Sequence, residues 1–227
     1  ALFDPDVCRA LLDAVRHRRR LRGSEGGSLA GRPSPVLRDV LDGEEPPEPS
    51  IFRAEQSNTS VLFGQSLILK LFRRVEDGVN PDLELGRYLA ERTAFAHTPR
   101  VAGALEYQKD GGEPATLAIV HEFVPNEGDA WQYTLDALGR FYEQAVTERI
   151  RPGAQPPEPA AEGLLARAAG PIPDAVDEVV GSYLQSAQLM GTRLAELHAA
   201  LAGDGGDPAL AAEPITPHYQ RSVYQSA

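Results

Sequence analysis

The chain has 227 residues, 42% of them hydrophobic and 24% charged, with a formal net charge of -11 and a single cysteine. That apolar content supports a sizeable core in one large domain or two small ones, while the acid excess excludes a general polyanion binder, which depends on surplus lysine and arginine. Cys8 alone can build neither an internal disulfide nor a cysteine-rich metal site, and no apolar run nears the roughly 20 residues that cross a bilayer; the expected location is the cytoplasm.

From Phe3 to about Arg22, Val7, Leu11, Leu12 and Val15 recur on one helical face behind the candidate caps Asp4 and Asp6, so an amphipathic helix is expected, with Cys8 as a small core residue. The run Arg16-His17-Arg18-Arg19-Arg20-Leu21-Arg22 could be a nucleic-acid patch or a solvated helix end. Cations suit the negative end of the helix dipole and no aromatic residues interleave for base stacking, which favours the helix end. Gly23 to Pro49 is rich in glycine, proline, serine and acids, and reads as a joint around one short strand or turn of helix, Val36 to Leu41.

Strand signals then follow at Ile51–Ala54, Val61–Phe63, Leu67–Phe72, Val101–Tyr107 and Thr116–Val124, with hairpin turns at Gly64-Gln65-Ser66 and Lys109-Asp110-Gly111-Gly112. One helix, Pro81 to about Arg92, interrupts them. Beyond Pro125 the chain is helical: Asp129 caps a helix through about Gln144, a proline and alanine joint spans Arg151 to Gly163, and a long helix runs from about Val176 to Leu201. The expected fold is α+β, with an N-terminal cap subdomain at 1–49, a small lobe of antiparallel sheet plus one helix at 50–125, and the first helices of a second lobe at 126–227.

Within the small lobe, alternation places Ile68, Lys70 and Phe72 on one face of their strand and Leu67, Leu69 and Leu71 on the other. An ammonium among apolar neighbours costs several kcal/mol unless an anion meets it or it reaches solvent. The following helix offers that anion, with Asn80 as cap, Pro81 at its first position, Asp82 and Glu84 in its first turn, and Glu84 at the edge of the apolar stripe. Two readings follow: Glu84 is the partner of Lys70, or the two acids serve only the helix dipole. The turn Glu55 to Ser60 can lay backbone N–H groups and the side chains of Gln56, Ser57, Asn58, Thr59 and Ser60 over phosphates, or be an ordinary solvated turn. Glu122 to Val124, where strands give way to helices, has backbone groups suited to an adenine edge, or is a plain strand end before Pro125. A phosphate-facing turn, a strand lysine and a helix glutamate are the parts of a protein-kinase-like ATP grip, and no Walker-type Gly-Lys-Ser or Gly-Lys-Thr is present. Three tempting residues read as structural: His198 as helix packing, Trp131 as a packing anchor rather than a sugar platform, and Asp204 with Asp207 as a solvated turn.

The runs Ala54 to Phe63, Leu67 to Arg74, Asn80 to Arg87, Glu122 to Trp131 and Pro217 to Ser222 together resemble the maltokinase family, especially the maltokinase part fused behind trehalose synthase in bacterial bifunctional proteins. The resemblance implies an aminoglycoside-phosphotransferase-like kinase fold and transfer of the ATP γ-phosphate to maltose, giving maltose 1-phosphate for glucan synthesis. It implies that Lys70 binds the α- and β-phosphates, Glu84 orients Lys70, Gln56 to Ser60 cover the phosphates, and the backbone of Glu122 and Val124 meets adenine. The family's histidine-glycine-aspartate catalytic loop and its magnesium-binding aspartate have no counterpart in the sequence. The expectation is therefore an N-terminal, ATP-binding part with no catalytic residue of its own, inactive alone, whose Mg2+ ligands lie elsewhere. The alternatives are a non-catalytic module that packs against a fused trehalose synthase or forms a homodimer, and a small-molecule kinase of the same fold with another acceptor.

Overall fold

The computed structural model describes residues 4–24, 26–52, 58–109, 111–149, 163, 166, 169–171, 180–203, 211 and 214–226. Helix α1 (Pro5–Arg16) starts at Asp4, whose carboxylate accepts from the Asp6 N–H at 2.9 Å, with proline at the first helical position. It closes with the His17, Arg18 and Arg19 N–H groups donating to the carbonyls of Asp13, Val15 and Ala14, and with Arg18 in the left-handed region at φ 52°.

That closure corrects two expectations. The helix ends at Arg16 rather than near Arg22, and Arg20-Leu21-Arg22 forms strand β1 (Arg20–Arg22), which turns through Gly26 and Gly27 (φ 92° and 77°) into β2 (Ser28–Pro33). The arginine run is thus a reversal and an edge strand instead of a solvated helix end. Residues 23–49 are more than a joint, since they hold β2 and helix α2 (Pro35–Leu41), capped by the Ser34 hydroxyl accepting from the Val36 N–H at 3.2 Å. Gly31 explains why β2 lies where it does: a Cβ there would overlap the Ala14 carbonyl of α1, so only glycine lets helix and strand approach this closely.

The remaining strands are β3 (Pro49–Phe52), β4 (Asn58–Phe63), β5 (Leu67–Phe72), β6 (Val101–Gln108) and β7 (Pro114–Glu122). They join β1 and β2 in one seven-stranded sheet, ordered β1-β2-β6-β7-β5-β4-β3, with every neighbouring pair antiparallel. The expected hairpin at Gly64-Gln65-Ser66 is present, with Gly64 at φ 57° and the Ser66 N–H donating to the Phe63 carbonyl at 3.2 Å.

Each face of the sheet has its own core. On one, Cys8, Leu12 and Val15 of α1 and Leu37 and Leu41 of α2 pack against Val61, Phe63, Leu67, Leu69, Ala118 and Val120. On the other, Leu83 of helix α3 (Pro81–Arg92) packs against Val101, Ala104 and Ile119, with Phe72 at the margin. Burial at about 1.5–3 kcal/mol per large apolar side chain makes the first core the main source of stability. Cys8 is buried there as expected, and burial pushes its thiol pKa up.

The chain forms two compact units, residues 1–125 with 197–227, and residues 126–196. Helix α4 (Ala130–Arg149) opens on Asp129, whose carboxylate accepts from the Gln132 N–H at 2.7 Å, and runs past the expected end at Gln144. Helix α5 (Tyr183–Leu201) bears on α4 within the second unit through Tyr133 with Ser186 at 3.1 Å and Thr134 with Tyr183 at 3.0 Å. The expected start of that helix near Val176 lies outside the described residues. Trp131 is 72% exposed on α4, which overturns the expected packing anchor. Helix α6 (Pro217–Ser226) completes the described elements. None of the helices is long and apolar enough to cross a membrane, among the described residues.

Candidate functional site

The sheet face covered by α3 is where chemistry-bearing side chains collect, and the register shows why. Lys70 on β5 stands between Ser60 on β4 and Ile119 on β7, and Ile68 stands beside His121. Directly opposed residues share a face, so Ser60, Lys70, Ile119 and His121 lie on the side where Leu83 packs. Lys70 is partly buried and Ser60 fully buried. The alternation read along Leu67–Phe72 therefore puts Lys70 on the α3 side, while Leu67 and Leu69 enter the opposite core.

Helix α3 is pinned over this face at its N-terminus. The Asn80 N–H donates to Thr116 Oγ1 on β7 at 3.0 Å, and Asn80 Oδ1 caps the helix by accepting from the Asp82 N–H at 2.9 Å. Of the two first-turn acids, Asp82 is the one whose charge reaches His121, together with that of Lys70. Glu84 is exposed and takes part in no ion pair among the described residues.

His121 is the site residue that sequence reasoning passed over. Burial, and then the neighbouring Lys70 ammonium, hold its imidazole below the usual histidine value of 6.5. The Pro99 backbone and the Asp82 charge oppose that shift, and the buried Nδ1 has no hydrogen-bond partner among the described residues. The available signal was the alternation from Ile119, which puts His121 on the Lys70 side.

Just beyond His121, the end of β7 is fastened from both sides. The Glu122 N–H donates to the Arg100 carbonyl at 2.9 Å, and the Phe123 N–H donates to the Ser66 carbonyl at 2.8 Å. The Arg100 guanidinium grips the Glu122 carboxylate through Nε at 2.6 Å and Nη2 at 3.0 Å, and this hydrogen bonding holds the Glu122 carboxyl below the ordinary glutamate range. Val124 is exposed. Of the turn residues, Gln56 and Ser57 lie outside the described residues, whereas Asn58, Thr59 and Ser60 open β4 as strand. Arg73 clasps that strand start, with Nη2 donating to the Asn58 carbonyl at 2.8 Å and Nε donating to Thr59 Oγ1 at 3.4 Å. His198 sits on α5 and is exposed; Asp204 and Asp207 lie outside the described residues. Among the described residues, no group of three or more His, Cys, Asp or Glu could hold a metal ion.

No family model matches the sequence. Over 161 residues the chain is 29% identical to a glucosamine kinase of Streptacidiphilus jiangxiensis, a similarity that takes in 70% of this chain and 29% of the relative, so the chain spans less than a third of that protein's length. Among solved structures, a glucosamine kinase in complex with glucosamine, ADP and inorganic phosphate aligns with 81% of this chain and 41% of its own, at 22% identity and a TM-score of 0.43. A second crystal form of a glucosamine kinase aligns over 81% and 43% at 20% identity and a TM-score of 0.41.

Proposed function

We propose that this chain is the ATP-binding part of a sugar kinase. The observation that carries the reading is Lys70, an ammonium set midway along an apolar strand on the sheet face that α3 caps. In the nucleotide complex the Lys70 Nζ neutralises the α- and β-phosphates, as phosphoryl-transfer enzymes require of a fixed cation. Gln56 to Ser60 cover the phosphates, and the backbone at Glu122 and Val124 receives the adenine edge. Glu84 orients Lys70 once the triphosphate is bound. Magnesium would supply charge neutralisation at the phosphates; no ligand for it and no base for the sugar proton is assigned among the described residues.

The similarity to a glucosamine kinase supports a sugar acceptor. The motif runs from Ala54 to Trp131 favour maltose and maltose 1-phosphate as the particular pair, within trehalose-to-glucan metabolism. Titration of the purified chain with ATP and Mg2+ tests the nucleotide half: saturable binding is expected, and Lys70→Met should weaken it at least tenfold. Equal binding by both proteins sinks the assignment. In the enzyme that contains this chain, phosphate transfer to maltose but not glucosamine supports the finer reading, and the reverse preference removes it.

A second reading rests on the exposure of Trp131 and Leu194 on the helices of the second unit. Exposed apolar side chains favour association, so a packing role against a trehalose synthase or a second copy is its alternative function. Sedimentation of a stable dimer combined with silence in the ATP titration would favour it.

A further inference from the structure

We propose a second anion site, on the opposite side of the sheet from Lys70, that takes a small phosphomonoester such as a sugar phosphate. A cavity of about 440 Å3 opens between the end of α1 and helix α2, and its basic lining is Arg16, His17, Arg18 and Arg38. No acidic side chain lines it. Its apolar lining of Pro33, Pro35, Leu37 and Leu41 suits the C–H face of a sugar-sized body, and the volume falls within the roughly 300–1,000 Å3 of small-molecule pockets.

Two of the four basic groups are already engaged, since Arg16 bridges Glu45 at 2.7 Å and His17 meets Asp13 at 3.0 Å. Arg18 and Arg38 take part in no ion pair among the described residues. Guanidinium forks match the oxygens of a phosphate in geometry as well as charge. The gathering of cations is confined to the cavity, since residues 1–49 as a whole hold eight arginines against nine acids.

The independent observation is the backbone of Arg18. It occupies the left-handed position that closes α1, at φ 52°, where glycine is the usual residue and a side chain costs about 1–2 kcal/mol. Asp42 closes α2 in the same region at φ 44°, but of the two only Arg18 brings a cationic side chain to the cavity lining. Arg18 also lines a neighbouring cavity of about 600 Å3 with Arg20, Arg32, Arg87 and Glu91, where Arg32 and Arg87 already face Glu106, so the cavity near α2 is the one without an acidic lining.

Lys70 lines neither cavity, so titration with variants at each place separates this site from the nucleotide site. The purified chain is titrated calorimetrically with glucose 6-phosphate, with glucose as the neutral twin and citrate as the carboxylate arm. Saturable binding of the phosphoester alone is expected. Arg18→Gly should weaken it at least tenfold without lowering the melting temperature, because glycine accepts this φ. Arg38→Gln should weaken it severalfold, and Lys70→Met should leave it unchanged. Arg18→Asn, which also tolerates the left-handed region, serves if the glycine variant does not fold. Absence of saturable phosphoester binding, equal binding by the Arg18 variants, loss in Lys70→Met, or a response to citrate alone would each overturn the proposal.

Discussion

The two units of this chain are built on opposite principles of burial. Residues 1–125 contain every buried side chain described, including Phe63, Leu67 and Leu69 with no accessible surface, whereas no described residue between 126 and 196 is buried. Sheet and helices in the first unit shield each other on two faces. The helices of the second meet through tyrosine, threonine and serine, and leave Trp131, Leu135, Leu138, Leu189 and Leu194 exposed. Among the described residues, apolar side chains therefore contribute stability in one unit and accessible surface in the other. Position in a layered fold, more than composition, decides what a leucine does.

The sharpest way to break this contrast is a pair of truncations. Phe63→Ala should cost about 3–5 kcal/mol in urea unfolding followed by circular dichroism, while Leu194→Ala should cost under about 1 kcal/mol. Similar losses at both positions would mean that the second unit has a core of its own. Next in size, Gly31→Ala should cost about 1–3 kcal/mol, because its Cβ meets the α1 backbone, which cannot step aside as a flexible side chain would; an unchanged unfolding midpoint would show that α1 is loosely seated.

A smaller effect is expected at the helix that holds the candidate site. Asn80→Ala removes the cap accepting from the Asp82 N–H and should cost about 1 kcal/mol. It should also raise the solvent exchange of α3 amides more than those of α1. Smallest is the pH response of His121. Its folded pKa lies below 6.5, so the unfolded chain binds the proton more readily; stability is complete above about 6.5 and declines as pH falls below it toward the folded value. The melting temperature of His121→Phe should therefore fall less between pH 7 and pH 5.5 than that of the unaltered protein. Lys70→Met, by removing the cation beside the ring, should move the His121 titration upward when followed by NMR.

Much of the small lobe was legible along the chain. The strands from Val61 to Val124, the turn at Gly64, the Asn80 and Pro81 start of α3 and the face assigned to Lys70 all follow from alternation, turn chemistry and capping, which act over a few residues. The arginine run was misread because a helix end and a short exposed edge strand look alike in sequence: β1 has three exposed residues and no period to detect. For β2 the decisive fact is the approach of Ala14 to Gly31, a contact between separate elements. Trp131 was misjudged for a related reason, since a large aromatic ring implies burial only where another layer covers it.

Sequence alone determined the local elements and the isolation of one lysine in an apolar strand, because periodicity and caps are written into neighbouring residues. Tertiary structure decided which partners that lysine meets. The antiparallel register brings His121 and Ser60 to its face, and the Thr116 anchor sets Asp82 at the helix start within reach of His121 while Glu84 stays at the surface. It also drew Arg16, Arg18 and Arg38 around one cavity although 22 positions separate the first from the last. Such meetings depend on how distant segments pack, and no local pattern carries that information.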